Sequence, residues 1–449
     1  MPEIGPEHPI TYRQEIAAPL FDRIRAGSSC AVVGAASMGK SRLLQFLLRA
    51  EVRQHYLGAD AANTLLAWAD CNRMAEISEW GLYELLLTAL VEAVAQEERE
   101  PLLQLRREAI LEHNALLAQR NVEIALKILC QEEELRVVFI LDEFDESYQY
   151  LSEQTLASLR SLRDMNKYWL TFVLFTRDAL DNLRSPDDVQ TFYELFSRNH
   201  IGLIPYSNDD AQRVIAQQAA RRIHQLSGAP TNYALHVCEL SGGHPGLIVA
   251  LLHGLTCSAP HAESWQEWAL HLPGVLEECR KLWEGLRVEE RRALNHLAHK
   301  MPPRYTDKQS LLLKGLIIQQ SERELRIFSP LVEGYAAAQS AMPEATLEVD
   351  AATGRVYVNG QPTAEELTEK EFALLVYLYE NRGAVCSVGD IISHVYPGPE
   401  GDGIFDNTVT ALIGRIRKKI EPDQNHWRFL HTHRGRGYRL IVEDEVEKV

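Results

Sequence analysis

Long hydrophobic runs are absent from this sequence of 449 residues. Its longest apolar stretches, such as residues 137–141, have the length of a β-strand, whereas a membrane-spanning helix needs about 20 apolar residues. The segment MPEIGPEHPI at the start contains no basic region followed by an apolar run. We therefore expect neither a membrane span nor a secretory signal, and we expect a cytoplasmic location.

Cysteine is scarce and scattered. The seven cysteines are odd in number, and no two of them are spaced as CxxC. This pattern argues against both a disulfide framework and a cysteine-based zinc site. The hydrophobic fraction of 46% and the charged fraction of 24% are typical of soluble globular proteins. A chain of this length is expected to contain about three or four domains.

Positive charge is in the minority, because the formal net charge is −17. Such a balance normally disfavours binding to nucleic acid, which relies on a positive field. Residues 406–440 are an exception, since they contain eight Lys or Arg against three Asp or Glu. The sequence therefore predicts a basic patch on an acidic protein.

Short apolar runs alternate with helical patterns in the N-terminal part of the chain. The predicted strands are residues 30–33, 65–70, 137–141, 170–175 and 200–204, and the predicted crossover helices are residues 80–94 and 122–135. Alternation of this kind is typical of a parallel sheet with helices on both faces. We predict an α/β domain over residues 1–205, a helical lid over 206–260 with Ser207 as its first N-cap, and a small winged-helix unit over 261–340. A C-terminal α+β domain is predicted over residues 345–443.

The segment GAASMGKS fits the phosphate-loop pattern GxxxxGK[ST], lies between an apolar strand and a helix, and consists of Gly34, Ala35, Ala36, Ser37, Met38, Gly39, Lys40 and Ser41. The two glycines let backbone N–H groups turn towards phosphates, which also meet the positive end of the following helix. Lys40 is expected at the β- and γ-phosphates, and the Ser41 hydroxyl at Mg²⁺. The alternative is a glycine turn before an ordinary helix.

A second strand supports nucleotide binding. Residues 137–141 form a buried-strand pattern that ends at Asp142 and Glu143, and ligands bind at the carboxyl ends of strands in open α/β sheets. Asp142 is predicted to orient Mg²⁺ and its waters, and Glu143 to act as general base towards the attacking water. A solvated acidic turn is the alternative for both residues.

These motifs resemble the P-loop ATPases of the AAA+ and STAND group across roughly residues 10–340. The resemblance implies ATP or ADP as ligand, with Arg13 of the segment YRQE near the adenine and Arg177 as a sensor of the γ-phosphate. It also implies that Arg198 is an arginine finger towards a neighbouring subunit, and that Pro245 of the segment GGHPG packs on adenine. The alternative for Arg177 is an exposed arginine that closes a strand. For Arg198 it is a solvated helix end, and for Pro245 a simple helix start.

The segments TEKEFALL, residues 408–420 and RGRGYR resemble the OmpR/PhoB-type winged-helix domain of bacterial response regulators. The resemblance implies that the third helix enters the major groove of DNA and that the wing reaches the minor groove. The implied DNA contacts are Arg415 to a base, Thr408, Arg417 and Lys419 to phosphates, and Arg434 and Arg436 in the wing. A protein-binding winged helix is the alternative.

Together these features predict a STAND-type transcription regulator that is controlled by ATP and ADP, hydrolyses ATP slowly, and forms nucleotide-dependent homo-oligomers. Its partners would be double-stranded DNA and an unidentified protein or small-molecule inducer. Two other classes remain open. One is an AAA+ ATPase that remodels DNA, such as an origin-recognition-like loader or a transposition helper. The other is a STAND-type stress or phage sensor whose winged helix binds protein.

Overall fold

The chain forms two compact units, residues 1–341 and 342–449. A computed structural model describes residues 8–95, 99–221, 230–257, 265–301, 305–321, 324–339, 347–351, 353–358, 361–363, 365–396, 406–421, 427–433 and 436–442. Within these ranges no helix combines the length and the apolar character needed to cross a membrane.

A parallel sheet of five strands forms the centre of the first unit, in the order β2-β3-β4-β1-β5. Its strands are β1 (Cys30–Val33), β2 (Thr64–Asp70), β3 (Arg136–Asp142), β4 (Leu170–Thr176) and β5 (His200–Gly202). Every residue of β1 and β4 is buried, because helices cover both faces of the sheet. All five predicted strands and the α/β fold class are confirmed.

Helices account for most of the remaining first unit. They are α1 (Gln14–Arg25), α2 (Lys40–Leu47), α3 (Ala50–Leu57), α4 (Glu79–Ala93), α5 (Arg99–Glu112), α6 (Ala115–Lys127), α7 (Asp145–Tyr150), α8 (Glu153–Met165), α9 (Leu180–Leu183), α10 (Gln190–Tyr193), α11 (Asn208–Ala220), α12 (Tyr233–Ser241), α13 (Pro245–Cys257), α14 (Trp265–Leu270), α15 (Pro273–Glu284), α16 (Val288–Ala298), α17 (Tyr305–Leu313) and α18 (Pro330–Ala338). A hairpin of β6 (Ile317–Gln319) and β7 (Leu325–Ile327) lies between α17 and α18.

Local signals explain most helix boundaries. Ser207 caps α11, since its hydroxyl accepts a hydrogen bond from the backbone N–H of Asp210 at 3.3 Å, as predicted. Such a cap contributes about 1 kcal/mol. The predicted helix over residues 122–135 was placed too late. Asn114 caps α6 through the N–H of Leu117 at 3.0 Å, and a π-helical turn, Ile128–Glu132, ends the segment.

A buried cluster of charges joins the end of β4 to α16 and α17. The carboxylate of Asp178 lies 2.9 Å from the Arg287 guanidinium and 3.2 Å from the Lys314 ammonium. Glu290 also pairs with Lys314, at 2.7 Å, and accepts a hydrogen bond from Ser310. Each charge is neutralised by a partner, which removes the cost of burying it alone. The sheet and the helices from α16 onwards therefore share one ion-pair network.

The second unit contains three helices and six short strands among its described residues. These are β8 (Leu347–Asp350), β9 (Arg355–Val358), β10 (Gln361–Pro362), α19 (Glu369–Glu380), β11 (Val385–Cys386), α20 (Val388–Val395), α21 (Asp406–Ile420), β12 (Leu430–His433) and β13 (Gly437–Leu440). Two antiparallel sheets have the orders β10-β9-β8 and β11-β13-β12. Thr368 and Glu371 form a capping box at the start of α19. This arrangement confirms the α+β winged-helix prediction.

The network around Asp178 generates a stability prediction. We expect Asp178→Ala to destabilise the first unit by about 3 kcal/mol, because it leaves Arg287 and Lys314 buried without one of their carboxylates. Urea unfolding of the full chain, followed by circular dichroism, measures the change. Asp181→Ala removes an exposed carboxylate from the neighbouring helix and serves as control. Equal unfolding midpoints for the two variants would contradict the prediction.

Candidate functional site

The phosphate loop connects the end of β1 to the start of α2. Two of its residues have left-handed backbone angles, with φ of 57° at Ser37 and 82° at Gly39. At Gly34 the neighbouring strand is so close that an added Cβ would lie 2.7 Å from the Leu203 Cβ. These constraints give the GAASMGKS segment a tight turn whose following helix begins at Lys40, as the sequence predicts.

The sheet order β3-β4-β1 brings three predicted charged residues together. The ammonium of Lys40 lies 2.7 Å from Oε1 of Glu143, and the guanidinium of Arg177 lies 2.9 Å from Oε2 of the same carboxylate. The backbone N–H of Arg177 also donates to Oδ1 of Asp145 at 2.8 Å. Glu143 is thus held between two cations at the carboxyl edge of the sheet.

The two acidic residues at the end of β3 have different electrostatic environments. Burial raises the pKa of Asp142 to about 6, and Lys40 opposes this shift only in part. Burial alone would also raise the pKa of Glu143, but the charges of Lys40 and Arg177 and their hydrogen bonds outweigh it and lower that pKa. Glu143 has a φ of 50°, a left-handed conformation that is uncommon outside glycine. Its side chain is therefore kept charged in a strained backbone position.

The start of α13 faces the phosphate loop across a cleft of about 430 Å³. Its lining residues are Ser37, Met38, Gly39, Lys40, Ser41, Arg42, Glu143, Pro245, Gly246, Val249 and Glu278. Pro245 is close enough that a Cβ added at Gly39 would lie 3.6 Å from its Cγ. The GGHPG segment of the predicted lid is thus next to the loop. Helix α15 contributes a carboxylate, Glu278, that sequence reasoning missed because no motif marks it.

Arg13 lies next to the phosphate loop. It is 2% exposed, and its guanidinium donates to the carbonyl oxygen of Met38 at 2.6 Å and to that of Ile204 at 2.5 Å. It also stacks over the Tyr206 ring at 4.3 Å. These contacts bind the guanidinium to carbonyl groups of its own chain, one of them in the phosphate loop, and the place of Arg13 near the adenine stays a prediction.

Arg198 is exposed in the turn before β5. Its action on a neighbouring subunit stays a prediction. His244, within the lid segment, is fully buried and contacts the phosphate loop at the Ala36 carbonyl oxygen, 3.2 Å from its Nε2. The sequence marks this histidine only as a member of GGHPG, and its buried contact spans more than two hundred residues of chain.

The second unit presents part of the predicted DNA interface. Thr408 lies in the first turn of α21, and Arg415 lies further along this helix with 58% of its side chain exposed, 3.3 Å from Oε1 of Glu371. Arg436 is exposed beside β13. Arg434, the predicted wing-tip contact, lies outside the described residues.

Two predicted phosphate contacts are corrected by their positions. Arg417 is 8% exposed, and its guanidinium donates to the carbonyl oxygen of Leu430 and the hydroxyl of Thr432, both at 2.8 Å. Lys419 places its ammonium 2.8 Å from Oε2 of Glu371. Both cations neutralise or bind groups of their own domain, so neither presents a free charge to a DNA backbone.

Two segments of the chain match known protein families. Residues 12–173 match the family described as "AAA ATPase domain", and residues 361–440 match the family described as "Transcriptional regulatory protein, C terminal". The chain therefore carries an AAA ATPase domain followed by the C-terminal domain of transcriptional regulatory proteins. The predictions of a P-loop ATPase domain and of a response-regulator-type domain are confirmed.

Individual relatives match one part of the chain each. The sensory transduction protein RegX3 of Mycolicibacterium smegmatis is 41% identical over 86 residues, which are 19% of this chain and 36% of RegX3. The transcriptional regulatory protein PrrA of Mycobacterium tuberculosis is 38% identical over 98 residues, 22% of this chain and 40% of PrrA. The matches thus span less than half the length of these relatives.

Among solved structures, the Walker-type ATPase of Pyrococcus abyssi is similar at 17% identity with a TM-score of 0.43. That alignment covers 74% of this chain and 99% of the archaeal chain.

The corrected role of Arg417 can be tested by stability. We expect Arg417→Ala to destabilise the second unit by about 2 kcal/mol, because it leaves the carbonyl oxygen of Leu430 without two hydrogen bonds. Hydrogen exchange of the α21 amides in the full chain measures the loss. Arg415→Ala, on the exposed face of the same helix, should leave the exchange within the usual small range of surface substitutions. Equal protection of the α21 amides from hydrogen exchange in the two variants would contradict a structural role of Arg417.

Proposed function

We propose that this protein is a STAND-type transcription regulator in which ATP and ADP bound by the first unit control DNA binding by the second. The observation that carries the proposal is the position of Glu143, held between Lys40 and Arg177 at the rim of the phosphate cleft. Phosphate groups attract the same two cations. Nucleotide occupancy would therefore change the partners of residues that follow three adjacent strands, β3, β4 and β1.

Nucleotide would bind with its phosphates against the N–H groups of the loop and the N-terminus of α2. The described residues contain no cluster of three or more His, Cys, Asp or Glu side chains that could hold a metal. A serine hydroxyl and one carboxylate, Ser41 and Asp142, fit Mg²⁺ instead, because this ion is usually held by one or two protein oxygens, substrate phosphates and waters. Bound there, Mg²⁺ would neutralise charge on the phosphates.

Slow ATP hydrolysis is part of the proposal. Glu143 would accept the proton of the water that attacks the γ-phosphate, and Lys40 and Arg177 would stabilise the charge on the transferred group. In this structure both cations are bound to Glu143 itself. Glu143 could thus act as a base only after phosphate has attracted Lys40 and Arg177 away from its carboxylate. A neighbouring subunit would supply Arg198 in a homo-oligomer, which is supported only by the exposure of this residue.

DNA binding would depend on α21 and the wing. Thr408 is at the positive end of the helix, where a phosphate is favoured, and the exposed Arg415 is available to a base edge. Arg436 and Arg434 would follow the wing into the minor groove. An unidentified protein or small molecule would act as inducer.

Substitution of the proposed base separates binding from hydrolysis. We expect Glu143→Gln to bind ATP at least as tightly as the original chain, because one negative charge is removed from the cleft, and to lose about 100-fold or more in turnover. Single-turnover hydrolysis and equilibrium binding of a fluorescent ATP analogue measure the two effects. Normal turnover in this variant would exclude Glu143 as the base.

The control of DNA binding is tested by comparing nucleotide states. A pool of random duplex DNA is titrated with the full chain under ADP and under a non-hydrolysable ATP analogue, and molecular mass is followed by analytical ultracentrifugation. We expect a difference of about fivefold or more in DNA affinity, since typical coupling free energies correspond to such factors. Lys40→Ala should abolish nucleotide binding and with it the difference between the two states.

Two controls complete this comparison. Lys127→Ala removes an exposed lysine of α6 and should retain the difference. Arg415→Ala should weaken DNA binding in both states and reduce its salt dependence, because it removes one cation from the interface. DNA affinity and mass that are the same under both nucleotides would refute control by ATP and ADP.

A further inference from the structure

Two buried side chains hold the phosphate loop from behind, and neither belongs to the loop motif. The first is His244, which directly precedes α13. Its Nε2 lies 3.2 Å from the carbonyl oxygen of Ala36, and its Nδ1 accepts the backbone N–H of Leu247 at 3.2 Å. Because a carbonyl oxygen can only accept and a backbone N–H can only donate, Nε2 carries the proton and Nδ1 is bare. The ring is therefore neutral and capped at both nitrogens.

The second side chain is Arg13, at the start of α1. One nitrogen of its guanidinium donates to the Met38 carbonyl oxygen at 2.6 Å, and another donates to that of Ile204 at 2.5 Å. The backbone N–H of Arg13 donates to Oδ2 of Asp210, in the first turn of α11, at 2.8 Å. One residue thus connects the loop, the exit of β5 and the first helix of the predicted lid.

Because the peptide unit is planar, a hydrogen bond that holds a carbonyl group also sets the direction of the N–H group of the next residue. In a planar trans peptide the C=O of one residue and the N–H of the next point in opposite directions. A hydrogen bond to the Ala36 carbonyl therefore fixes the direction of the Ser37 N–H, and one to the Met38 carbonyl fixes that of the Gly39 N–H. Ser37 and Gly39 are also the two loop residues with left-handed angles.

We propose that His244 and Arg13 are positioning residues, which aim the N–H groups of Ser37 and Gly39 into the cleft by holding the carbonyl groups of Ala36 and Met38. Phosphate affinity then depends on two side chains that do not touch the phosphate. The identity of the ligand as ATP or ADP rests on the proposed function, whereas the anchoring of the loop does not.

His244 also links the loop to the lid, since the same imidazole caps α13 and holds Ala36. Withdrawal of α13 would break the bond to Ala36 and free the Ser37 peptide to rotate. Nucleotide affinity and closure of the lid are therefore coupled through one ring. Glu278 and Arg13 are the charged groups that act on this imidazole. Burial lowers the pKa of His244 to about 4, in agreement with a neutral ring.

Two substitutions separate the two bonds of the imidazole. Gln places its amide N–H near the position of Nε2, so His244→Gln retains the bond to Ala36 and loses the cap. Asn places its carbonyl oxygen near Nδ1, so His244→Asn retains the cap and loses the bond to Ala36. We expect His244→Asn and His244→Ala to weaken ADP binding by the full chain about tenfold, the effect of one buried hydrogen bond. His244→Gln should bind ADP within about threefold of the original chain.

Isothermal titration with ADP measures affinity, and thermal unfolding of the same samples reports stability. His253→Ala, an exposed histidine of the same helix, is the matched control and should change neither. Arg13→Lys should also lose about tenfold, because one ammonium cannot hold the Met38 and Ile204 carbonyl groups in the geometry of the fork. The opposite result overturns the proposal: His244→Asn, which keeps the helix cap, binds ADP like the original chain, and His244→Gln binds ADP as weakly as His244→Ala.

A spectroscopic measurement decides the inference independently of nucleotide. Nitrogen-15 NMR of histidine-labelled full chain should show His244 as the Nε2–H tautomer at pH 7, and this signal is assigned by its absence from His244→Gln. A bare Nε2 or a charged ring overturns the inference. If the chain binds neither ADP nor ATP, the proposed function is refuted instead. The tautomer of His244 alone then tests whether this ring holds the Ala36 carbonyl group.

Discussion

The carboxylate of Glu143 lies between the ammonium of Lys40 and the guanidinium of Arg177, and the rest of the first unit is arranged around this balance of charges. Glu143 and Arg177 follow the ends of β3 and β4, Lys40 follows β1 across the phosphate loop, and the order β3-β4-β1 makes the three neighbours. Within this group, two positive charges face the one negative charge of Glu143. Phosphate binding and the internal ion pairs therefore compete for the same charges.

The segment after β4 faces in two directions. Arg177 points to Glu143 in the cleft, and the next residue, Asp178, points to Arg287 and Lys314 in the helices beyond the lid. A backbone shift at Arg177 would also move Asp178, whose buried partners tolerate little displacement without loss of pairing. Within the proposed function, such a shift would connect the cleft to α16 and α17.

Sequence reasoning succeeded where the signal is local. The phosphate loop, the acidic end of β3 and the cap at Ser207 each depend on a few consecutive residues. It failed where a side chain has a distant partner. The family resemblance implied a phosphate contact for Arg417, but only the fold shows that the Trp427 ring and the Leu430 carbonyl oxygen lie next to its guanidinium. The carbonyl partners of Arg13 likewise follow from the fold alone.

The pairing of Glu143 also bears on when it acts as a base. In the present arrangement Lys40 and Arg177 lower its pKa, which makes the carboxylate a weak proton acceptor and blocks both of its oxygens. Within the proposed function, phosphates that attract these cations remove the influence that lowers the pKa, and burial then raises it. Glu143 would become a stronger base only when the cleft is occupied. The same exchange of partners would thus link the basicity of Glu143 to the presence of phosphate.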